Sequence, residues 1–102
     1  MPTETVQLLH PTKSAPRIDL QRYELIRATI QEALTIADNG LTYTELVDHI
    51  RSLIPQEILK ILGSLEWYTV SVKLDLEARG LIERIPQTRP ERVRLVPEFS
   101  PS

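Results

Sequence analysis

The chain has 102 residues, with 12 Lys and Arg against 14 Asp and Glu, a formal net charge of −2, and no cysteine. This length fits one small domain, and without cysteine the chain has neither a disulfide framework nor a thiolate metal site. No apolar run is long enough to span a membrane, and the N-terminus lacks the pattern of a secretory signal. We therefore expect a cytoplasmic protein with no membrane partner.

Prolines are concentrated at both ends: five of the eight lie in the first seventeen or the last six residues. This distribution predicts flexible tails over residues 1–17 and 97–102, around a folded domain over residues 18–96. Within the first tail, the apolar segment Val6–Leu9 could form a short strand or pack on the domain, with disorder as the alternative.

A first helix is predicted over about residues 19–38. Asp19 can cap it, because a carboxylate accepts the free amide protons of the first helical turn. Asn39-Gly40 supplies a left-handed stop at its other end. The apolar residues that recur at helical spacing between these signals are Ile26, Ile30, Ala33, Leu34 and Ala37.

The second helix begins with a capping box, in which Thr42 and Glu45 can each satisfy an unpaired amide of the other. Its apolar stripe continues to Ile54. Pro55 cannot extend that helix but suits the first turn of another. Residues 55–62 are therefore predicted to form a short additional helix.

Residues 64–79 admit two interpretations. Apolar and polar residues alternate from Val70 to Leu76, which is typical of a strand. Ser64 as a cap, Gly80 as a stop and the helix-forming run Leu76–Arg79 favour a third helix instead, and we predict the helix with the strand as the alternative. Two strands are predicted next, at Leu81–Ile85 and Arg92–Val96.

This order of elements resembles a winged helix-turn-helix domain. Leu76–Arg84 is similar to the end of the third helix and the start of the wing in many bacterial and archaeal transcription regulators of that superfamily. Gly40–Leu46 resembles the segment that enters their second helix. The resemblance implies a mainly α fold with a small β-hairpin: a three-helix core, a short extra helix between helices two and three, and a C-terminal wing.

The resemblance also implies a function, namely binding of double-stranded DNA by a transcriptional regulator. The wing is the one net basic part of the predicted domain, and its arginines would contact phosphates. The third helix would enter the major groove, although it has two positive side chains against three negative ones. The predicted DNA contacts are Arg84, Arg89, Arg92 and Arg94 on the wing, and Ser64, Ser71 and Lys73 on helix three.

A competing hypothesis is that the domain binds protein instead of DNA. At about 100° per residue, the third helix has two apolar faces. If one face packs into the core, the other must be covered by the short helix, by the N-terminal segment, by a second copy or by another protein. This hypothesis predicts a dimerisation or interaction module whose contact is the face formed by Trp67, Val70 and Leu74. Trp67 and Tyr68 could alternatively stack on bases or anchor a partner.

Catalytic and metal-binding patterns are lacking in the sequence. His10 and His49, the two histidines, have no second ligand at metal spacing. The three glycines lie at predicted helix boundaries and cannot assemble a phosphate-binding loop. We therefore expect no enzymatic activity, no cofactor and no metal.

Overall fold

The structure is a computed structural model that describes residues 4–37 and 39–97. Within these ranges the chain forms four helices and two small antiparallel sheets, which confirms a mainly helical fold with a small β component. In chain order the elements are β1 (Thr5–Gln7), β2 (Arg17–Asp19), α1 (Leu20–Ile36), β3 (Leu41–Thr42), α2 (Tyr43–Leu53), α3 (Gln56–Leu62), α4 (Leu65–Ala78), β4 (Ile82–Ile85) and β5 (Arg92–Leu95).

From β1 onward the N-terminal segment packs on the domain, which is the alternative to disorder that the sequence left open for Val6–Leu9. β1 pairs antiparallel with β2, so that Val6 lies opposite Ile18. We call the connecting residues 8–16 the strap. Leu8, at its start, is 2% exposed and belongs to the main core. The strap contains two prolines and one serine, so its composition alone does not show that Leu8 is buried. Residues 1–3 and the predicted tail from residue 98 onward lie outside the described residues.

α1 begins as the cap predicts, since Asp19 Oδ2 accepts a hydrogen bond from the Arg22 amide at 3.0 Å. The helix ends at Ile36, before the predicted end at residue 38, and Asp38 itself lies outside the described residues. Gly40 follows with φ +88°, and a Cβ there would lie 2.8 Å from the Val93 carbonyl oxygen. Glycine at this position therefore permits both the left-handed turn and the close approach of β5.

α2 starts with the predicted capping box. Thr42 Oγ1 accepts from the Glu45 amide at 3.2 Å, and Glu45 Oε1 accepts from the Thr42 amide at 3.0 Å. The short helix predicted at residues 55–62 is confirmed as α3, which begins directly after Pro55.

α4 confirms the helical interpretation of residues 64–79 over the strand alternative. Its N-cap is Ser64, whose Oγ accepts from the Trp67 amide at 3.1 Å. Val72 and Leu76 point into the core with no exposed surface. The apolar alternation that suggested a strand thus arises because α4 has one apolar face inside the core and another outside it.

A three-stranded antiparallel sheet in the order β3-β5-β4 closes the C-terminal part of the fold. The hairpin β4–β5 matches the two predicted strands within one residue at each end. β3 was not predicted; it pairs Leu41 with Val93 and so fastens the start of α2 to the hairpin. We call residues 81–96 the wing.

One apolar core joins these elements. It lies between α1, α2 and α4 and receives side chains from the strap and from the three-stranded sheet. Its fully or almost fully buried apolar residues include Leu8, Tyr23, Ile26, Ile30, Ala33, Leu34, Leu46, Ile50, Val72, Leu76, Ile82 and Val93.

Candidate functional site

The outward face of α4 is mostly apolar. At about 100° per residue, one side of this helix presents Trp67, Val70, Ser71, Leu74 and Ala78, and we call these five residues the outward strip. Trp67 is 42% exposed, Ala78 is exposed, and the other three are half-buried. At a rise of about 1.5 Å per residue, the strip is roughly 16 Å long.

The strap runs along one edge of the outward strip and leaves a cleft of about 310 Å³ between them. Leu9 on the strap and Trp67 on α4 both line this cleft and are each 42% exposed, so the strap covers the strip only in part. The cleft has an apolar lining from Leu8, Leu9, Ala15, Pro16, Trp67 and Leu74, and a polar lining from His10, Lys13, Ser14 and Ser71.

Asp75 fixes the strap to α4. Its side chain is fully buried, and Oδ1 accepts a hydrogen bond from the Leu9 amide at 2.8 Å. Oδ2 accepts from the Tyr23 hydroxyl at 2.5 Å and from Arg79 Nε at 2.9 Å. Arg79 also donates to the Gln7 carbonyl at 3.2 Å. The buried charge is therefore paired and hydrogen-bonded, which is the condition under which a protein interior tolerates one.

The electrostatics of this network are those of a structural anchor. Burial, followed by the hydrogen bond to Asp75, raises the pKa of the Tyr23 hydroxyl above its usual value of 10.0. The hydrogen bond to Asp75 raises the pKa of Arg79 as well. Neither shift brings a group closer to neutral pH, so Tyr23 stays a neutral donor and Arg79 a cation around the carboxylate.

Two of the three polar residues predicted to contact a DNA groove make contacts within the domain instead. Ser64 caps α4. Lys73 is 7% exposed, and its Nζ lies 3.1 Å from Glu77 Oε2, so it is corrected from a surface contact to a buried, ion-paired residue. The reason is its helical position, which falls between the core face and the wing. Ser71 alone of the three lies on the outward strip.

The two adjacent aromatic residues point in different directions. The rings of Trp67 and Tyr68 form an edge-to-face pair with centroids 5.0 Å apart. The Tyr68 hydroxyl accepts from Arg22 Nη1 at 3.1 Å, and this bond raises the pKa of Arg22. Tyr68 thus faces α1, while the other predicted partner contacts, Trp67, Val70 and Leu74, share the outward strip.

Three of the four predicted wing arginines form ion pairs. Arg89, in contrast, is exposed in the loop between β4 and β5. The glutamate in each ion pair offsets the positive charge of its arginine, which weakens the field that would draw in phosphate. The pairs are Arg84–Glu77 at 2.7 Å, Arg84–Glu91 at 3.2 Å, Arg92–Glu45 at 3.3 Å and Arg94–Glu83 at 3.0 Å.

Neither histidine belongs to a metal-binding cluster. Across residues 4–37 and 39–97 the structure brings together no group of three or more His, Cys, Asp or Glu that could hold a metal ion. His10 Nδ1 accepts from the Thr12 amide at 3.1 Å within the strap. In the same ranges no helix is both long enough and apolar enough to cross a membrane.

One family model covers most of the chain: a family of unknown function, DUF6958, matches residues 5–93. The chain belongs to the DUF6958 family. Its match begins at the first residue of β1 and ends within β5, so the DUF6958 region includes the strap as well as the outward strip. Comparison with curated proteins and with solved structures gives no match.

Two elements of the site in this DUF6958 chain were not predicted from the sequence. The sequence left open whether the Val6–Leu9 segment packs on the domain or is disordered, and no role was predicted for Asp75. The available signal was the helical position of Asp75, which lies beside that of Val72 on the side leading to the core. A lone carboxylate there requires buried donors, but the sequence alone does not indicate that the strap supplies one.

Proposed function

We propose that this DUF6958 chain is a winged-helix domain. Three main helices, α1, α2 and α4, share one core and are followed directly by the β4–β5 hairpin. β3 ties this hairpin to the start of α2, so that wing and helices pack as one body. The short helix α3 and the β1–β2 hairpin are additions to that plan. This arrangement supports the resemblance that the sequence suggested.

We further propose that the domain is a protein-interaction module and that the outward strip binds another protein chain. The observation behind this proposal is the 42% exposed Trp67 at one end of an apolar strip on the helix face that points away from the core. Exposed tryptophans in apolar surroundings are the residues that most often dominate protein interfaces. A helix with such a face matches the recognition of one helix by another.

The charges around the strip favour a protein partner over DNA. Lys73 is buried against Glu77, and the exposed Arg51 is paired with Glu66 at 2.8 Å. On the wing, all the arginines except Arg89 are held by glutamates. A surface without net positive charge lacks the long-range attraction that brings proteins to nucleic acid.

DNA binding by the wing, as a transcriptional regulator, is the second candidate. It is favoured by Arg89, which is exposed at the tip of the wing. The pairs of Arg92 with Glu45 and of Arg94 with Glu83 are exposed on both sides and would cost only about 0–1 kcal/mol each to exchange for phosphate contacts. The outward strip itself carries no cationic side chain, and the exposed Lys13 of the strap lies at the cleft beside it.

A titration against labelled random duplex DNA across a salt series separates the two candidates. The protein-interaction proposal predicts no binding even at low salt. Salt-sensitive binding at micromolar concentrations would instead favour DNA. Arg89→Ala should then reduce the salt slope by about 0.9, because the variant neutralises one phosphate fewer.

Site-directed photo-crosslinking in living cells tests the protein contact directly. A benzophenone amino acid is introduced at Trp67, at Arg89, or at the exposed Thr35 on α1 as a matched control. We expect a discrete protein adduct from position 67 and none from position 35. Adducts to nucleic acid from position 89, with none to protein from position 67, would refute the proposal.

A further inference from the structure

We propose that the protein bound by the outward strip is a second copy of the same chain, with two α4 helices packed antiparallel about a two-fold axis. This inference rests on the proposed function of the strip. It specifies both the partner and the orientation. The order of large and small side chains along the strip supports it, and the charges at the two ends of the strip do not oppose it.

The spacing of the strip is that of a helix-packing seam. Trp67, Val70, Leu74 and Ala78 follow one another at intervals of three or four residues, the pattern by which one helix packs on another. The strip is large at its N-terminal end and small at its C-terminal end. A complementary surface must therefore present its small residue at the end where Trp67 lies.

A second copy in antiparallel orientation supplies that surface. With the two-fold axis at the middle of the strip, Trp67 lies over the partner subunit's Ala78, and Leu74 over the partner subunit's Ser71. Each bulky side chain then meets a small one, as in well-packed cores. A parallel arrangement would instead stack the two tryptophans on each other and leave a gap between the two alanines.

The charges beside the strip follow the same symmetry. Glu66 and Glu77 lie on one side of α4 at opposite ends, and Glu77 holds the wing residue Arg84. The side chains of Glu66 and Arg84 remain 58% and 53% exposed. In the antiparallel dimer the two helices run in opposite directions, and their Glu66–Glu77 sides lie on the same side of the interface. Glu66 of each copy therefore lies towards the partner subunit's Arg84. Within each copy Arg51 already pairs with Glu66, and Glu77 and Glu91 already pair with Arg84, so two compensated groups meet at each end of the seam and no unpaired like charges oppose the antiparallel arrangement.

The expected affinity is modest. Stable protein interfaces bury about 800 Å² on each partner, whereas a strip roughly 16 Å long, even with Leu9 at its edge, covers less than that. We therefore expect a dimer that dissociates in the micromolar range.

Sedimentation velocity of the purified full chain, from about 1 µM to about 500 µM, is the first test. We expect a concentration-dependent monomer–dimer equilibrium. Trp67→Ala should weaken it at least tenfold. Ile36→Ala removes a side chain on α1 that is 66% exposed, and this control should leave the equilibrium unchanged. Circular dichroism establishes that each variant is folded.

Disulfide trapping tests the orientation without altering Trp67, because the chain contains no cysteine. In the antiparallel dimer, residue 71 lies about 4–5 Å along the axis from its own copy, and residue 78 about 16 Å from its own. Mild oxidation should therefore link Ser71→Cys into a dimer and leave Ala78→Cys unlinked. A parallel dimer would bring both positions close to their copies.

The outcomes separate this inference from the proposed function. A chain that stays monomeric, a dimer unaffected by Trp67→Ala in a folded variant, or equal trapping at positions 71 and 78 would each overturn the antiparallel dimer. If a benzophenone at position 67 still links to a different protein, the interaction module stands and only the partner is wrong. If position 67 links to nothing, both proposals fail.

Discussion

Asp75→Asn is the most informative single change, because it removes the charge from the network that fastens the strap while keeping the side-chain shape. Asn Oδ1 can still accept from the Leu9 amide. Its NH₂ group would face Arg79 Nε, which can only donate, and the Tyr23 hydroxyl, which can accept from it but then has no acceptor for its own O–H; these two groups now lie 2.9 and 2.5 Å from Asp75 Oδ2. Arg79, with its side chain 33% exposed, can turn to water, but Tyr23 at 3% exposure cannot.

The expected loss of stability follows from those contacts. A hydrogen bond to a charged group contributes about 1.5–3 kcal/mol, and a buried donor left unpaired costs about 1–3 kcal/mol. We therefore expect Asp75→Asn to lower the free energy of unfolding by about 2–4 kcal/mol, a large part of the roughly 5–15 kcal/mol that stabilises a domain of this size. The melting temperature should fall by about 10–25 °C.

Urea denaturation measures the change, and hydrogen exchange at the Leu9 amide reports the opening of the strap. Asp48→Asn, at an exposed position on α2, is the matched control and should change stability by less than about 0.5 kcal/mol. If Asp75→Asn behaves like this control, or if the Leu9 amide exchanges at the same rate in both variants, the anchoring role assigned to Asp75 is wrong.

Three further predictions concern stability. Leu8→Ala should destabilise the domain by about 2–5 kcal/mol, because Leu8 is 2% exposed. A loss below about 1 kcal/mol in chemical denaturation would show that the strap does not contribute to the core. Thr69→Val should stabilise it by about 1 kcal/mol, since the buried Thr69 Oγ1 has no hydrogen-bond partner among the described residues, and a lower melting temperature would contradict this. The raised pKa of Tyr23 favours its neutral form in the folded state, so its contribution to stability is complete below pH about 10 and declines as the pH rises further. Tyr23→Phe should flatten this alkaline decline in urea titrations at successive pH values, and an unchanged profile would assign the decline to other groups.

The strap and the outward strip together define what this domain can present to a partner. Asp75 holds the backbone of Leu9 on α4, and Leu9 and Trp67 line the same cleft. Because the strap is fixed by a buried charge network, the surface around this cleft is preformed and does not have to be ordered on binding. A preformed surface loses less conformational entropy on association, which favours a measurable affinity even for a short interface.

The helices and the hairpin could be predicted from local sequence signals. Asp19, the Thr42–Glu45 box and Ser64 act on amides within three residues of themselves, so the starts of α1, α2 and α4 are encoded locally. Pro55 acts in the same way on α3. Residue spacing also predicted the two apolar faces of α4. It followed that the face outside the core must be covered by another segment or another protein.

The surroundings of that outer face, in contrast, depend on long-range contacts. β3 has two residues and exists through its pairing with β5, which is distant in sequence. The burial of Leu8, the donors that surround Asp75 and the glutamates that hold the wing arginines likewise depend on segments up to 66 residues apart. No local pattern encodes such contacts, because a side chain can be matched with a distant partner only once the core has placed both of them. The difference between an arginine free for phosphate and one held by a glutamate is therefore a property of the fold.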